Sequence, residues 1–277
     1  MSQNVLVVHG GGPTAVINAS LYGVIEEAKR NPEVGKVYGA IGGTGAIFSE
    51  TFIDLTSFDD EKLKLLLHTP ASAIGSSRYP LYEKDYEKMV DIFKKHDIKY
   101  VLLNGGNGTM DACGHIYEVC KDQDIKVVGI PKTIDNDIAM TDHSPGYGSA
   151  ARFIAASTQE VGEDVKSLPI HVCIMEAMGR NAGWITAASA LARRKQGDAP
   201  HLIYLPERNF NEDEFLEDVS RLQKKQGGVV VLVSEGLHDA NGESIVPPIF
   251  KSERAVYYGD VSSHLANLVV KKLGVKA

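Results

Sequence analysis

No apolar run in this chain approaches the ~20 residues needed to cross a bilayer, and no positively charged stretch opens it as in a secretory leader. A soluble cytoplasmic protein is therefore expected. Cysteine is scarce: Cys113, Cys120 and Cys173 are odd in number, match no zinc spacing, and read as reduced core thiols of a cytosolic protein. Basic residues are outnumbered, 29 Lys and Arg against 36 Asp and Glu, for a formal net charge of -7. That balance argues against nucleic acid as a partner, because a phosphate backbone selects for clustered cations. Any phosphate the chain binds must be held locally. No short-period repeat, low-complexity tract or linker interrupts the 277 residues, and 43% hydrophobic content suffices for one large or two smaller cores.

Short β-rich apolar runs recur at Val5 to Val8, Tyr100 to Leu103, Lys126 to Ile130, His171 to Met175 and Val229 to Val233. Their apolar residues are nearly continuous, which predicts strands covered on both faces. Between them lie helical patterns at Ala15 to Lys29, Tyr86 to Lys95, Met110 to Cys120, Tyr147 to Val161 and Glu212 to Lys225, with a further helix over Val261 to Lys272. Strands alternating with helices predict an α/β fold with mainly parallel sheets and ligands at the strand C-termini. Pro145, Gly146 and Gly148 break the pattern between Asp142 and Gly148, placing a domain boundary at 146/147.

The first strand runs into His9-Gly10-Gly11-Gly12-Pro13-Thr14, and a later one into Asn104-Gly105-Gly106-Asn107-Gly108-Thr109. Glycine lets a backbone turn tightly and bring N-H groups against an anion at a helix N-terminus. Either turn alone could be merely structural; two at strand ends suit a polyphosphate, with Thr109 able to donate to it or to cap the helix. Neither is a P-loop, since no Gly-Lys-Ser/Thr follows, and neither is a dinucleotide fingerprint, which weakens a dehydrogenase reading. A third strand ends in Pro131-Lys132-Thr133-Ile134-Asp135-Asn136-Asp137. Two carboxylates two residues apart can divide the labour of phosphoryl transfer, one taking the proton of the attacking hydroxyl and the other holding magnesium. Lys132 can offset charge developing on the transferred group.

Gly-Gly-Asn-Gly-Thr, Pro-Lys-Thr-Ile-Asp-Asn-Asp, Met178-Gly179-Arg180 and Ser234-Glu235-Gly236 stand in the order and approximate spacing of the phosphofructokinase family, which the chain resembles along its whole length. The resemblance implies two Rossmann-like three-layer αβα domains with the active site in the cleft between them. Residues 1–146 would form the donor-binding domain carrying the acid cluster, and residues 147–277 the sugar-phosphate-binding domain. It implies a 6-phosphofructokinase of glycolysis, an alcohol-acceptor phosphotransferase that uses Mg2+ and assembles as a homodimer or homotetramer.

Carried over position by position, Asp135 would be the general base, with Lys132 and Thr133 beside the transferred group. Asp137 and Asn107 would lie at the metal, Asn107 standing where many relatives have Asp. Gly11, Arg78, Tyr79, Gly106, Asn107, Gly108 and Thr109 would hold the donor. Thr133, Asp135, Met178, Gly179, Arg180 and Glu235 would contact fructose 6-phosphate. Gly108, lacking a side chain, resembles ATP-dependent members, whereas Lys132 resembles pyrophosphate-dependent ones; ATP is the expected donor and pyrophosphate the alternative. The family normally continues beyond Ala277 with a strand and a glycine-rich segment, so the sugar domain is expected to be incomplete at its C-terminus. A catalytically impaired phosphate- or nucleotide-binding regulator of the same fold is the reading from another class.

Overall fold

A computed structural model describes residues 3–251 and 256–277, which form two compact units, residues 1–133 and 134–277. In chain order the first contains β1 (Gln3–His9), α1 (Ala15–Arg30), β2 (Val34–Ala40), α2 (Gly45–Phe48), β3 (Phe52–Asp54), α3 (Asp60–Lys64), α4 (Glu83–Lys95), β4 (Ile98–Gly105), α5 (Asn107–Cys120) and β5 (Lys126–Pro131). Its sheet has the order β3-β2-β1-β4-β5, parallel except for β3 on β2. Alternate residues of β1 feed opposite faces. Leu6 and Val8 pack with Phe93 of α4 and Ile116 of α5, whereas Val5 and Val7 pack with Leu21 and Ile25 of α1. Three layers follow directly from that alternation.

The second unit contains α6 (Tyr147–Ser167), β6 (Val172–Ala177), α7 (Trp184–Ala188), β7 (Leu202–Tyr204), α8 (Glu212–Gln226), β8 (Val229–Ser234), β9 (Pro248–Lys251), β10 (Val256–Tyr258) and α9 (Val261–Leu273). A parallel sheet runs β6-β8-β7, and β9 and β10 pair antiparallel. The central β8 is buried along its length; Val229, Val231 and Val233 face α8 and α9, while Val230 and Leu232 face α6 and α7. Local chemistry places α8 well. Asn211 caps it by accepting from Asp213 N and Glu214 N at 2.9 and 3.1 Å, acids fill its first turn, Lys224 and Lys225 its last, and Gly227 ends it at φ 81°.

Two expectations change. The units divide at Thr133/Ile134 rather than at 146/147, because Ile134 packs into the core around Ala151 and Ile154, and Asn136 is tied forward to Asp142 and Ser144. Pro145 and Gly146 instead lead into α6, whose first turn contains Gly148. β5, at the edge of its sheet, is not covered on both faces as expected, and Val128 is left exposed. The three cysteines are free thiols, and burial raises that of Cys120 to about 11. Among the described residues no helix is long and apolar enough to cross a membrane.

Candidate active site

In the first unit, chain order reverses between β1 and β4: β1 leads to β2 on one side and β4 to β5 on the other. Such a switch point leaves a crevice at the strand C-termini. Both glycine turns open there. His9 and Asn104 are register partners, and Gly10 N donates to Asn104 O at 3.0 Å, carrying the ladder one residue into the turns. Thr109 is buried between them. A Cβ on Gly10 or on Gly105 would fall far inside contact distance of its hydroxyl, so both must be glycine for the turns to meet. Gly11, at φ 73°, is in the left-handed region.

Thr14 and Gly106 stand at the N-cap positions of α1 and α5 without side-chain capping bonds, and neither helix has an acid in its first turn. Both positive helix ends thus remain suited to an anion. Thr109 is not the cap, since α5 already begins at Asn107 and Thr109 lies inside its first turn. Gly106 is half-buried, Asn107 and Gly108 are exposed, and nothing lies within 4 Å of where a Gly108 Cβ would stand.

Lys132 joins the two turns. Its amide donates to Gly105 O at 2.9 Å, and its ammonium reaches Gly12 O at 2.5 Å while only 6% exposed. The lysine amine is therefore held at the first turn, where burial strengthens the interaction of its ammonium form with any phosphate. Thr133 beside it is also buried. The loop of Arg78 and Tyr79 borders the same turn: Gly11 N donates to Ser77 O at 3.2 Å and Ser76 Oγ to Gly11 O at 2.7 Å. Arg78 and Tyr79 are exposed, the latter ring lying 5.9 Å from that of Phe48. The first unit thus gathers Gly11, Gly106, Thr109 and Lys132, with Arg78 two residues beyond Ser76.

The second unit begins with the acids. Asn136 is buried at φ 59°, its Oδ1 accepting from Ser144 N at 2.7 Å and its Nδ2 donating to Asp142 O at 3.3 Å. Anchored between them in the sequence, it leaves Asp135 half-buried and Asp137 exposed. Among the described residues no three His, Cys, Asp or Glu side chains form a metal cage. One or two carboxylates are nevertheless what magnesium takes when phosphate oxygens and water complete its octahedron, so the all-oxygen pair fits that ion.

At the other ladder, Met178, Gly179 and Arg180 leave β6 while Glu235 leaves β8. Glu235 N donates to Ala177 O, and its Oε1 accepts from both Gly179 N and Arg180 N at 3.0 Å. Arg180 adopts φ 49° and Gly179 φ 139°; the two hydrogen bonds donated to Glu235 hold this turn, strained at Arg180, with Met178 and Arg180 exposed. A Cβ on Gly236 would overlap Arg180 O. Four of the expected sugar-phosphate residues are thus collected at one sheet end.

Sequence reasoning missed the supports. His9 is wholly buried beneath the first turn, and burial lowers its pKa to about 4. It lies within the glycine motif, but its partner Ser72 is 63 positions away and carries no local signal.

A sheet switch point with paired anion turns and a buried lysine defines a phosphate-handling α/β enzyme. The chain belongs to the phosphofructokinase family, whose model it matches over residues 4–276, and is a phosphotransferase with an alcohol group as acceptor. It is 42% identical to a pyrophosphate–fructose 6-phosphate 1-phosphotransferase of Rhodospirillum rubrum, over 98% of this chain and 70% of that protein. The structure of a pyrophosphate-dependent phosphofructokinase from Nitrosospira multiformis superposes with a TM-score of 0.87 at 36% identity, covering 100% of this chain and 68% of that one. An ATP-dependent 6-phosphofructokinase of Amycolatopsis methanolica is 30% identical over 85% of this chain and 52% of its own length. The chain spans about two thirds of the length of the first two relatives. The order of likeness runs against the ATP expectation drawn from Gly108, because an open position admits a nucleotide without requiring one.

Proposed function

We propose that the chain takes part in transferring a phosphoryl group from pyrophosphate to the 1-hydroxyl of fructose 6-phosphate. The observation that carries this reading is the Lys132 ammonium at Gly12 O inside the first glycine turn. Inorganic phosphate is a small, highly charged leaving group, and a fixed buried cation offsets the charge it gains. The pyrophosphate-dependent relatives support the same donor.

In this reading Gly11, Gly106, Asn107, Gly108 and Thr109 cradle the diphosphate, and Arg78 and Tyr79 border it. Asp135, three residues after Lys132, accepts the proton of the 1-hydroxyl as the new O-P bond forms and the bond to the departing phosphate breaks. Thr133 hydrogen-bonds the transferred group. Met178, Gly179, Arg180 and Glu235 orient the sugar phosphate, so that positioning and electrostatics supply most of the catalysis. Asp137 and Asn107 would hold magnesium together with phosphate oxygens; when bound, that ion neutralises phosphate charge.

The test is a coupled assay with fructose 6-phosphate, magnesium and either pyrophosphate or ATP, alongside Asp135→Ser. Turnover with pyrophosphate that Asp135→Ser abolishes is expected. Turnover with ATP alone overturns the donor assignment, and full activity of Asp135→Ser overturns the base.

A further inference from the structure

The segment from Ser72 to Tyr79 has no regular secondary structure, yet it is stitched to the end of β1 at several points. Ser77 forms a parallel bridge with Gly10, accepts from Gly11 N, and receives Thr44 N on its Oγ at 3.2 Å; Ser76 Oγ donates to Gly11 O. At the other end of the segment, His9 Nδ1 lies 2.8 Å from Ser72 Oγ, which in turn lies 2.6 Å from Gly75 O. A serine hydroxyl has one proton. Given to the Gly75 carbonyl, which can only accept, it obliges His9 to donate from Nδ1. The tautomer is thereby set, and Nε2 becomes an acceptor, buried and without a partner. Leaving a buried acceptor unpaired costs stability. A hydrophobic residue would fill the same space without that cost, so the imidazole is explained by what Nδ1 holds.

We propose that His9 is a positioning residue, whose Nδ1-H, through Ser72, fixes the Ser72–Tyr79 segment against the first glycine turn and so presents Arg78 to the phosphoryl donor. The inference rests on the proposed donor site for its purpose, but the tether itself does not. Gly75, at φ 74° and packed on Gly42, turns the chain between the His9 anchor and the Ser76–Ser77 stitches. Loss of the anchor frees the first half of the segment and leaves Arg78 held from one side only, by the Ser76–Ser77 stitches, while β1 remains paired on both sides.

Two measurements on His9→Leu, Ser72→Ala and His9→Asn test this. The first is trypsin cleavage after the exposed Arg78, compared with cleavage after Arg180 in the other unit. The second is the KM for pyrophosphate against kcat at saturating fructose 6-phosphate. His9→Leu and Ser72→Ala are expected to speed cleavage at Arg78 alone and to raise KM roughly tenfold with kcat little changed, the size of one lost hydrogen bond. An asparagine amide can replace Nδ1-H, so His9→Asn should return both readouts towards wild type. Unaltered cleavage at Arg78 in His9→Leu and Ser72→Ala overturns the tether. Faster cleavage with unaltered KM overturns the link to the donor, and faster cleavage in a chain that does not use pyrophosphate sinks the proposed function while the tether stands.

Discussion

The meeting of the two glycine turns around Thr109 can be tested by adding single methyl groups. At Gly10 the three atoms nearest a new Cβ all belong to the Thr109 side chain: its hydroxyl far inside contact, its Cγ2 at 3.0 Å and its Cβ at 3.2 Å. At Gly105 it would meet that hydroxyl, the Thr109 Cβ at 2.7 Å and the Gly10 carbonyl oxygen at 2.6 Å. Overpacking of this kind costs about 1–3 kcal/mol, while replacing glycine by alanine stiffens the unfolded chain and returns about 0.5–1. Gly10→Ala should therefore destabilise the first unit by about 1–2 kcal/mol. In a Thr109→Ala background, with hydroxyl and Cγ2 gone, the remaining contact at 3.2 Å is tolerable and the penalty should vanish. The coupling should be about 1–2 kcal/mol. Gly105→Ala should stay destabilising by more than about 2 kcal/mol in both backgrounds, because a carbonyl and a Cβ cannot be removed by truncating Thr109. Hydrogen exchange of β1 and β4 amides is the appropriate assay, since the single tryptophan, Trp184, reports on the other unit. Equal rescue of both glycine variants by Thr109→Ala, or of neither, would refute the packing argument.

Two further predictions concern the supports. Glu235→Ala leaves Gly179 N and Arg180 N without their carboxylate and should cost the second unit about 1–3 kcal/mol, whereas Glu235→Gln, which keeps one acceptor oxygen, should cost less than half as much. Urea unfolding followed by Trp184 fluorescence checks this, and equal losses would count against the backbone clamp. His9, at 6.5 unfolded and about 4 folded, takes up a proton more readily when unfolded. Its contribution is therefore complete above pH 6.5 and falls away as pH drops to 4, by about 3 kcal/mol at 1.36 kcal/mol per pH unit. Comparing wild type with His9→Asn in urea at pH 7 and pH 4.5 isolates this difference; parallel losses in the two proteins would contradict it.

Much of the scaffold was legible because its residues declare their environment locally. β1, β4 and β8 contain nearly continuous apolar stretches, Val5–Val8, Tyr100–Leu103 and Val229–Val233, the pattern of strands covered on both faces. β2 was not legible. Gly35, Lys36 and Gly39 interrupt it, and Gly39 sits where Ile74, Leu55 and Ile53 would crowd a Cβ at 3.1–3.3 Å, a packing relation with no local signal. The three-residue strands β3 and β7 are too short for any period to show. Val128 was misplaced for a related reason: composition states that a strand is apolar, but not that its sheet ends there.

The candidate site divides in the same way. Its candidate groups are legible in the sequence in two ways: the glycine turns, Lys132, Asp135 and Asp137 by residue type at strand ends, and Met178–Arg180 and Glu235 by the family resemblance. Tertiary structure alone decided that Lys132 bridges the two turns, that Thr109 packs between Gly10 and Gly105, that the second unit begins at Ile134, and that His9 leans on Ser72. Those relations join residues far apart in the chain through directional hydrogen bonds and sub-ångström packing. Local sequence encodes the groups that can make such contacts, and only the folded chain selects which of them meet.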